Sequence, residues 1–587
     1  MMRQMISLSA LLVLIACTAS NEPTISSPVE PVSAAKGYDV GMVAAADPRA
    51  VEAGVRVLEA GGHAVDAAIA VHSVLSLVEP QSSGLGGGAF MLVYDAEADE
   101  VTVFDGRETA PAAATPELFY DENGEVMGFL TAWQSGRSVG VPGQVALYEK
   151  AYERFGKVEW ESLFSDAITL ADEGFVVSPR LAELLASPRL RGAVRLDDNP
   201  DTAAYFYPDG EPLASGAVRT NPEFADTLRA VAKDGAGVFY SGPIAEAIIA
   251  SSQAGPYGGA LTLEDFADYN VIVREPVCGD GLGYTVCSAP PPSSGGIVQP
   301  AILGVYERLM EGVSNEDETA RLMAFVDAQR LVYADRDHYV ADADKVFVPT
   351  EDLVDPAYLD VRATERFAPS AIPTAGDPGE VLRGEPMIDM WGRDMTEDAP
   401  GTTHISVVDK YGNAASMTAT VESAFGSSRW AKGFLLNNEL TDFSLVAVKN
   451  GKPVANAPGS GKRPRSSMSP SLVFDENGDL AMVTGSPGGN SIIAYVAKTL
   501  VGVLDWGFSA QEAVDFPNII ARGETVGVET SRGTMGAEIG QMLQAEGYKV
   551  VERSGENSGL HVIIIHEDGT LEGAADPRRE GVALTAK

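Results

Sequence analysis

The run Ala399-Pro400-Gly401-Thr402-Thr403-His404-Ile405-Ser406-Val407-Val408-Asp409 joins two unlike stretches of chain. Before it, Thr364 to Pro400 is rich in Pro, Gly, Asp and Glu with weak periodicity, the composition of an exposed loop or linker. After it, His404 to Asp409 and Ala414 to Val421 read as strands. A strand-rich segment directly after such a loop suits a segment that gains a new N-terminus. A threonine hydroxyl is inert near neutral pH until a base takes its proton. An N-terminal threonine brings its own base, the α-amine. Thr402 meets that need if the Gly401–Thr402 bond breaks, and Gly401 with Pro400 before it leaves the scissile carbonyl accessible. Taken alone, the same Thr-Thr pair is an ordinary strand start.

Further out, Leu472 to Val483 reads as a hairpin around Asp475-Glu476-Asn477-Gly478. Gly485-Ser486-Pro487-Gly488-Gly489 leads into an apolar helix, Ser491 to Leu504. Upstream, Ala50 to Ala60 and Val65 to Val78 carry apolar residues at helical spacing, and Gly61-Gly62 stops the first. Phe90 to Tyr94 and Val101 to Phe104 read as strands, and Glu117 to Leu359 as mainly helical. Gly84-Leu85-Gly86-Gly87-Gly88 lacks the Lys-Ser/Thr of a phosphate loop, so a tight turn and a ligand-facing loop both stay open. No His pair has the spacing of a helical zinc site, and no C-x-x-C occurs, so no metal or cofactor is expected.

The stretch from Thr402 to Asp409 resembles the start of the small subunit of gamma-glutamyltransferases, members of the N-terminal-nucleophile hydrolase superfamily. So do seven further motifs in the same order: Gly84 to Phe90, Phe104 to Pro111, Pro290 to Gly296, Phe434 to Phe443, Lys462 to Pro470, Gly485 to Gly489 and Ala575 to Arg578. The resemblance implies an α+β fold, a four-layer αββα sandwich of two stacked antiparallel sheets between helices. It implies a precursor that cuts itself between Gly401 and Thr402, giving a large subunit (37–401) and a small catalytic subunit (402–587) that stay together as a heterodimer.

By the same resemblance Thr402 attacks a γ-glutamyl amide such as that of glutathione, and Thr420 hydrogen-bonds its hydroxyl. Gly488 and Gly489 donate backbone N–H groups to the oxyanion, a sensible use of a helix entrance. Arg107, Ser466 and Ser467 hold the substrate carboxylate, for which a guanidinium fork is well shaped. Glu439 and Asp442 hold its ammonium. Two departures stand out. Glu422 occupies a position where many relatives have Asn, placing a third acid near the ammonium. The segment between Asp442 and Ser466 has no tyrosine, so the family's tyrosine-bearing lid is changed or missing and an open pocket is expected. His404 is expected to be structural. The alternative on the same fold is a cephalosporin- or glutaryl-type amide acylase.

The whole chain sets wider bounds. It has 587 residues with 83 Asp and Glu against 42 Lys and Arg, a formal net charge of −41. That excess repels phosphates, so nucleic acid is not an expected partner. Met1 to Ala16 has the layout of an export signal, a cationic start and a short apolar run. Leu14-Ile15-Ala16-Cys17 resembles the bacterial lipoprotein box, which would make Cys17 the lipidated first residue; an ordinary secretory signal is the other possibility. With Thr18 next, an outer-membrane lipoprotein on the periplasmic side is expected. Residues 17–36 read as a flexible tether. If Leu282-Gly283 is a two-residue hairpin turn, Cys278 and Cys287 sit opposite each other, placed either to form a disulfide in an oxidising compartment or to pack as thiols.

Overall fold

The computed structural model describes residues 37–314, 316–396, 401–554 and 558–587. The signal segment 1–16, Cys17, the tether and the pair Ala399-Pro400 lie outside the described residues. In chain order the strands of the core are β1 (Gly41–Ala45), β2 (Gly88–Asp95), β3 (Glu100–Gly106), β4 (Ile272–Arg274), β5 (Val277–Gly281) and β6 (Tyr284–Ser288), all before the Gly401–Thr402 bond. After it come β7 (Thr402–Val408), β8 (Ala414–Thr420), β9 (Ser471–Phe474), β10 (Leu480–Gly485), β11 (His561–Ile565), β12 (Leu571–Ala575) and β13 (Val582–Ala586).

They form a seven-stranded sheet, β13-β1-β7-β8-β2-β3-β4, and a six-stranded sheet, β12-β11-β10-β9-β6-β5. Neighbours in both are antiparallel. The sheets stack face to face, with β7 and β8 against β10. Helices α1 (Pro48–Glu59) and α2 (Ala64–Val78) cover the outer face of the larger sheet. The smaller sheet carries α3 (Gly295–Leu309), with α4 (Glu318–Tyr339) and α5 (Ile492–Leu504) packed on α3. The result is the expected αββα sandwich.

The local sequence explains the central strands. Both β7 and β8 are buried along their whole length, helices on one side and the second sheet on the other. Ile405 and Val407 point into the cluster shared with α2. On the alternate positions, facing the second sheet, short polar side chains replace large apolar ones. They carry their own hydrogen bonds: Ser406 Oγ donates to the His561 carbonyl at 3.0 Å, and Ser416 Oγ to the Thr484 carbonyl at 3.0 Å. His404 belongs to this layer. Its Nδ1 meets Thr418 Oγ1 at 2.8 Å and its Nε2 meets Ser406 Oγ at 3.0 Å, and burial pushes its pKa well down, so it is neutral. A Cβ on Gly485 would lie 2.3 Å from its ring, which is why glycine faces it. The structural role expected of His404 fits this placement.

One expectation is corrected. The stretch 364–396 is not a simple exposed linker. It contains a short helix, Pro378–Arg383, and Asp394 within it is buried. Carboxylates replace the missing backbone ladder: Asp377 accepts from the N–H groups of Glu380, Met387 and Ile388, and Asp394 pairs with Arg465 at 2.9 Å. Pro- and Gly-rich sequence lacks periodicity, but these side-chain acceptors satisfy it without periodicity.

The Cys278–Cys287 pair is closed as a disulfide across β5 and β6, turned by Leu282 and Gly283 with φ of 58° and 81°. Closing a loop of sequence separation 9 restricts the unfolded chain by about 2–3 kcal/mol. Cys278→Ser is expected to lower stability by about that amount. Denaturant unfolding without reductant reads it; an unchanged midpoint would refute the expectation.

Candidate active site

β7 and β8 pair so that Thr402 lies opposite Thr420. The Thr420 hydroxyl donates to the Gly401 carbonyl at 2.9 Å, the carbonyl of the expected scissile bond. Its oxygen accepts the Glu422 N–H at 2.7 Å and lies 3.1 Å from Thr402 Oγ1. Thr420 has one proton and has given it to Gly401, so in the second contact Thr402 is the donor. The Thr402 oxygen thus keeps lone pairs free beside the carbonyl carbon of its own peptide bond. Arg579 Nη1 fixes the other side of the residue, donating to the Thr402 carbonyl at 2.7 Å.

The glycine run Gly84 to Gly88 holds the end of β8. A Cβ on Gly87 would sit 1.9 Å from the Thr420 carbonyl, and one on Gly86 2.2 Å from the Leu435 carbonyl. Of the two roles left open by sequence, the turn of close approach is the one the geometry requires. Gly86 O and both faces of Gly140 are clamped by Asn437: its Nδ2 donates to Gly86 O at 2.8 Å and Gly140 O at 3.0 Å, and its Oδ1 accepts Gly140 N–H at 2.9 Å. That clamp sets the 3₁₀ turn Glu439–Asp442 against Arg107.

A small, half-open cavity, ≈20 Å³, is lined by Arg107, Thr402, Thr420, Glu422, Glu439, Asp442, Ser466, Ser467, Met468, Gly489 and Ile492. The residues expected for the nucleophile, the carboxylate grip and the ammonium grip therefore converge, from strands on both sides of the Gly401–Thr402 bond. Gly488 stands just behind Gly489 and is not part of the lining. Both glycines have positive φ, 137° and 57°, and open the turn into α5. Among the described residues neither N–H has an acceptor, which leaves two donors at a helix entrance.

The electrostatics are lopsided. Arg107 is 1% exposed and binds Glu439 through Nη1 and Asp442 through Nη2 at 2.5 Å. Glu108, missed in the sequence reading although it lies inside a quoted motif, is fully buried beside them. Burial pushes the Glu108 and Glu439 carboxyls up, and Arg107 pulls both down. Glu422 lines the same cavity, with its carboxylate accepting from Ser423 Oγ and Asn438 Nδ2. Asn438 is a second residue the sequence reading passed over. Glu422 has a φ of +78°, a left-handed conformation that a non-glycine residue holds only when its surroundings demand it.

Arg107 closes on Glu439 and Asp442 and leaves only about one water's space. The tyrosine-free segment is itself anchored: Val454 bridges to Gly392, and Lys452 pairs with Asp389 at 2.5 Å.

Comparison with known proteins is consistent across the chain. The family model described as Gamma-glutamyltranspeptidase matches residues 50–586. The chain is similar to the glutathione hydrolase proenzyme of Escherichia coli (strain K12), 36% identical over 570 residues and covering 94% of each. It is also similar to that of Bacillus subtilis (strain 168), 34% identical over 553 residues, 93% of this chain and 91% of the relative. Among solved structures, a cephalosporin acylase from Bacillus halodurans matches with TM-score 0.77 and 26% identity, covering 96% of this chain and 98% of the other.

Proposed function

The chain belongs to the gamma-glutamyltranspeptidase family, and from that premise we propose that it is a self-processing γ-glutamyl hydrolase and transferase that uses Thr402 on glutathione and related compounds. The observation that carries the proposal is the Thr420 hydroxyl, bridging Thr402 Oγ1 and the Gly401 carbonyl at the mouth of a two-signed cavity.

In maturation the Thr402 oxygen adds to the Gly401 carbonyl carbon, and Thr420 hydrogen-bonds the carbonyl oxygen as charge develops there. The Thr402 nitrogen leaves with the proton, and water releases Gly401 from the resulting ester. The free amine then serves as base. It takes the Thr402 hydroxyl proton while the oxygen attacks the γ-carbonyl of the substrate, with Gly488 and Gly489 donating to the oxyanion. The proton passes to the leaving amine, and water or a second amine takes the γ-glutamyl group from Thr402. Each sheet contains strands from both fragments, so the cut subunits 37–401 and 402–587 remain one heterodimer without a covalent link.

The proposal includes export, with residues 1–16 removed and Cys17 carrying lipid on the periplasmic side. The sequence pattern supports this, and one experiment addresses both parts. Mass spectrometry of the purified protein is expected to give a fragment beginning at Thr402 and another beginning at a lipid-modified Cys17. A single chain from Met1 would overturn both.

The similarity to a cephalosporin acylase favours one competing reading, a glutaryl-type amidase. It differs in lacking any need for the ammonium grip. Turnover of a γ-glutamyl anilide against a glutaryl anilide separates the two, and preference for the glutaryl compound would favour the acylase. Glu422 bears on the same comparison, since its charge adds to those of Glu439 and Asp442 facing an ammonium. Glu422→Asn is expected to reduce the γ-glutamyl over glutaryl preference by roughly tenfold, about one pK unit of charge interaction. An unchanged ratio would remove Glu422 from substrate choice.

A further inference from the structure

One short strap, residues 81–88, holds the end of β8 and the ammonium-binding turn together. It follows α2 and runs into β2. Toward β8, the Gln81 carbonyl accepts the Phe425 N–H at 3.2 Å, the Ser82 carbonyl accepts that of Val421 at 3.4 Å, and Gly88 pairs with Thr420. Glu422, with its left-handed backbone, stands between the two residues bound in this way. Toward the turn, the Gly86 carbonyl accepts both the N–H and Nδ2 of Asn437, at 3.1 and 2.8 Å. Before Gly88 the strap belongs to no helix or strand, and Gly84, Gly86 and Gly87 give it no side chain to hold by. Glycine has the widest backbone freedom, so the place of such a segment depends on what anchors it.

Ser82 and Ser83 supply polar side-chain anchors. Ser82 Oγ lies 3.4 Å from Arg180 Nη1, a long contact. Ser83 Oγ meets His72 Nε2 at 3.0 Å. His72 is fully buried on α2, and its Nδ1 bonds the Tyr148 hydroxyl. Tyr148 lies on the helix Gln144–Phe155. At the start of that helix the N–H groups of Gly143 and Gln144 donate to the Gly87 carbonyl, at 2.9 and 3.0 Å. One imidazole thus joins the strap at Ser83 to the helix that grips it at Gly87. Burial pushes the His72 pKa down to about 3, so the ring is neutral and the link does not change with pH near neutrality.

We propose that His72 is a positioning residue for the nucleophile: by fixing Ser83 against Tyr148 it sets the strap, and through the strap the place of Thr420 and Glu422 relative to Thr402. The inference rests on the proposed function insofar as Thr402 is the attacking group. A shift of the strap passes directly to β8, because even a Cβ on Gly87 would lie 1.9 Å from the Thr420 carbonyl and close-packed groups transmit displacement. The Thr420 hydroxyl in turn lies 3.1 Å from Thr402 Oγ1. A misplacement of about 1 Å costs on the order of 10²-fold in rate.

The test uses the full chain. Turnover is measured after cutting has run to completion and is normalised to the fragment beginning at Thr402. His72→Phe keeps a ring in the same space and removes both hydrogen bonds. It is expected to slow the Gly401–Thr402 cut and to lower kcat for the γ-glutamyl anilide about 10–100-fold, with KM changed by less than about threefold. Ser83→Ala removes the strap's half of the link and is expected to lower kcat about tenfold. The two changes remove one shared interaction, so the double variant is expected to be no slower than His72→Phe alone. His72→Gln offers Ser83 an amide, and is expected to recover most of kcat while Tm stays below that of the wild type. A histidine that serves stability alone gives a different pattern: a lower Tm with kcat within about threefold, losses that add in the double variant, or a glutamine variant as slow as the phenylalanine one. Any of these would overturn the proposal. If His72→Phe does not fold, Ser83→Ala decides, and a kcat within about threefold of the wild type overturns it. Should the wild type prefer a glutaryl anilide, the function proposal fails in the wild type alone, and the same variants are read on that substrate. A wild type that neither cuts nor turns over either anilide overturns both proposals, whereas an active wild type whose variants keep their kcat overturns only the role of His72.

Discussion

Thr402→Ala is expected to leave one uncut chain and to lower γ-glutamyl anilide turnover by at least about 10⁴-fold, the scale for removing a nucleophile from a set of groups that act as a unit. The substitution removes both the oxygen that would attack Gly401 and, because no cut follows, the amine that would serve as base. Two smaller changes divide the effect. Thr402→Ser keeps the hydroxyl and is expected to cut slowly. Thr420→Val keeps the volume but loses the hydroxyl bonded to Gly401 at 2.9 Å, so it is expected to slow cutting while leaving an intact Thr402. Time courses on gels read all three. Cutting of the Thr402→Ala chain at the same bond would show that Thr402 is not the attacking group.

Part of this arrangement was legible from residue types. The run from His404 to Asp409 read as a strand, and the Leu282-Gly283 turn placed Cys278 opposite Cys287 as found. The stacking of two sheets was not, because β1 pairs with β13 at the far end of the chain and β3 with β4 after a long helical excursion. Local patterns carry no record of such partners. The pocket divides in the same way. Arg107, Glu439 and Asp442 stand in recognisable motifs, yet their mutual ion pairs join residues more than 300 positions apart. The charged run of α4 was invisible for another reason: Asp327, Arg330, Asp335, Arg336 and Asp337 are buried together, and in sequence such a run looks like a solvated face. The position of the segment before Thr402 was hidden because its order comes from isolated carboxylates, Asp377 and Asp394, rather than from a repeating pattern.

Arg107→Met, made in the uncut Thr402→Ala chain, is expected to lower stability by about 3–5 kcal/mol, because removing one partner of a buried pair leaves the other charges uncompensated. The loss is expected to depend on pH. Burial raises the Glu108 carboxyl to about 7 from its ordinary 4.5, and raises that of Glu439 well above the same value, while Arg107 draws both down. A carboxyl whose folded value is raised stabilises the fold while it is protonated. That contribution is fully present below pH 4.5 and is lost as pH rises through about 7. Without Arg107 both values move higher still, so more of the interval up to pH 8 is spent forcing charge onto buried groups. The variant should therefore lie close to its parent at pH 5 and far below it at pH 8. Urea unfolding at the two pH values measures the difference. A deficit that is equal at both, or larger at pH 5, would mean that Glu108 and Glu439 are already ionised in the folded chain. The acidic surplus would then be carried as full charge, and a substrate ammonium would enter by neutralising it.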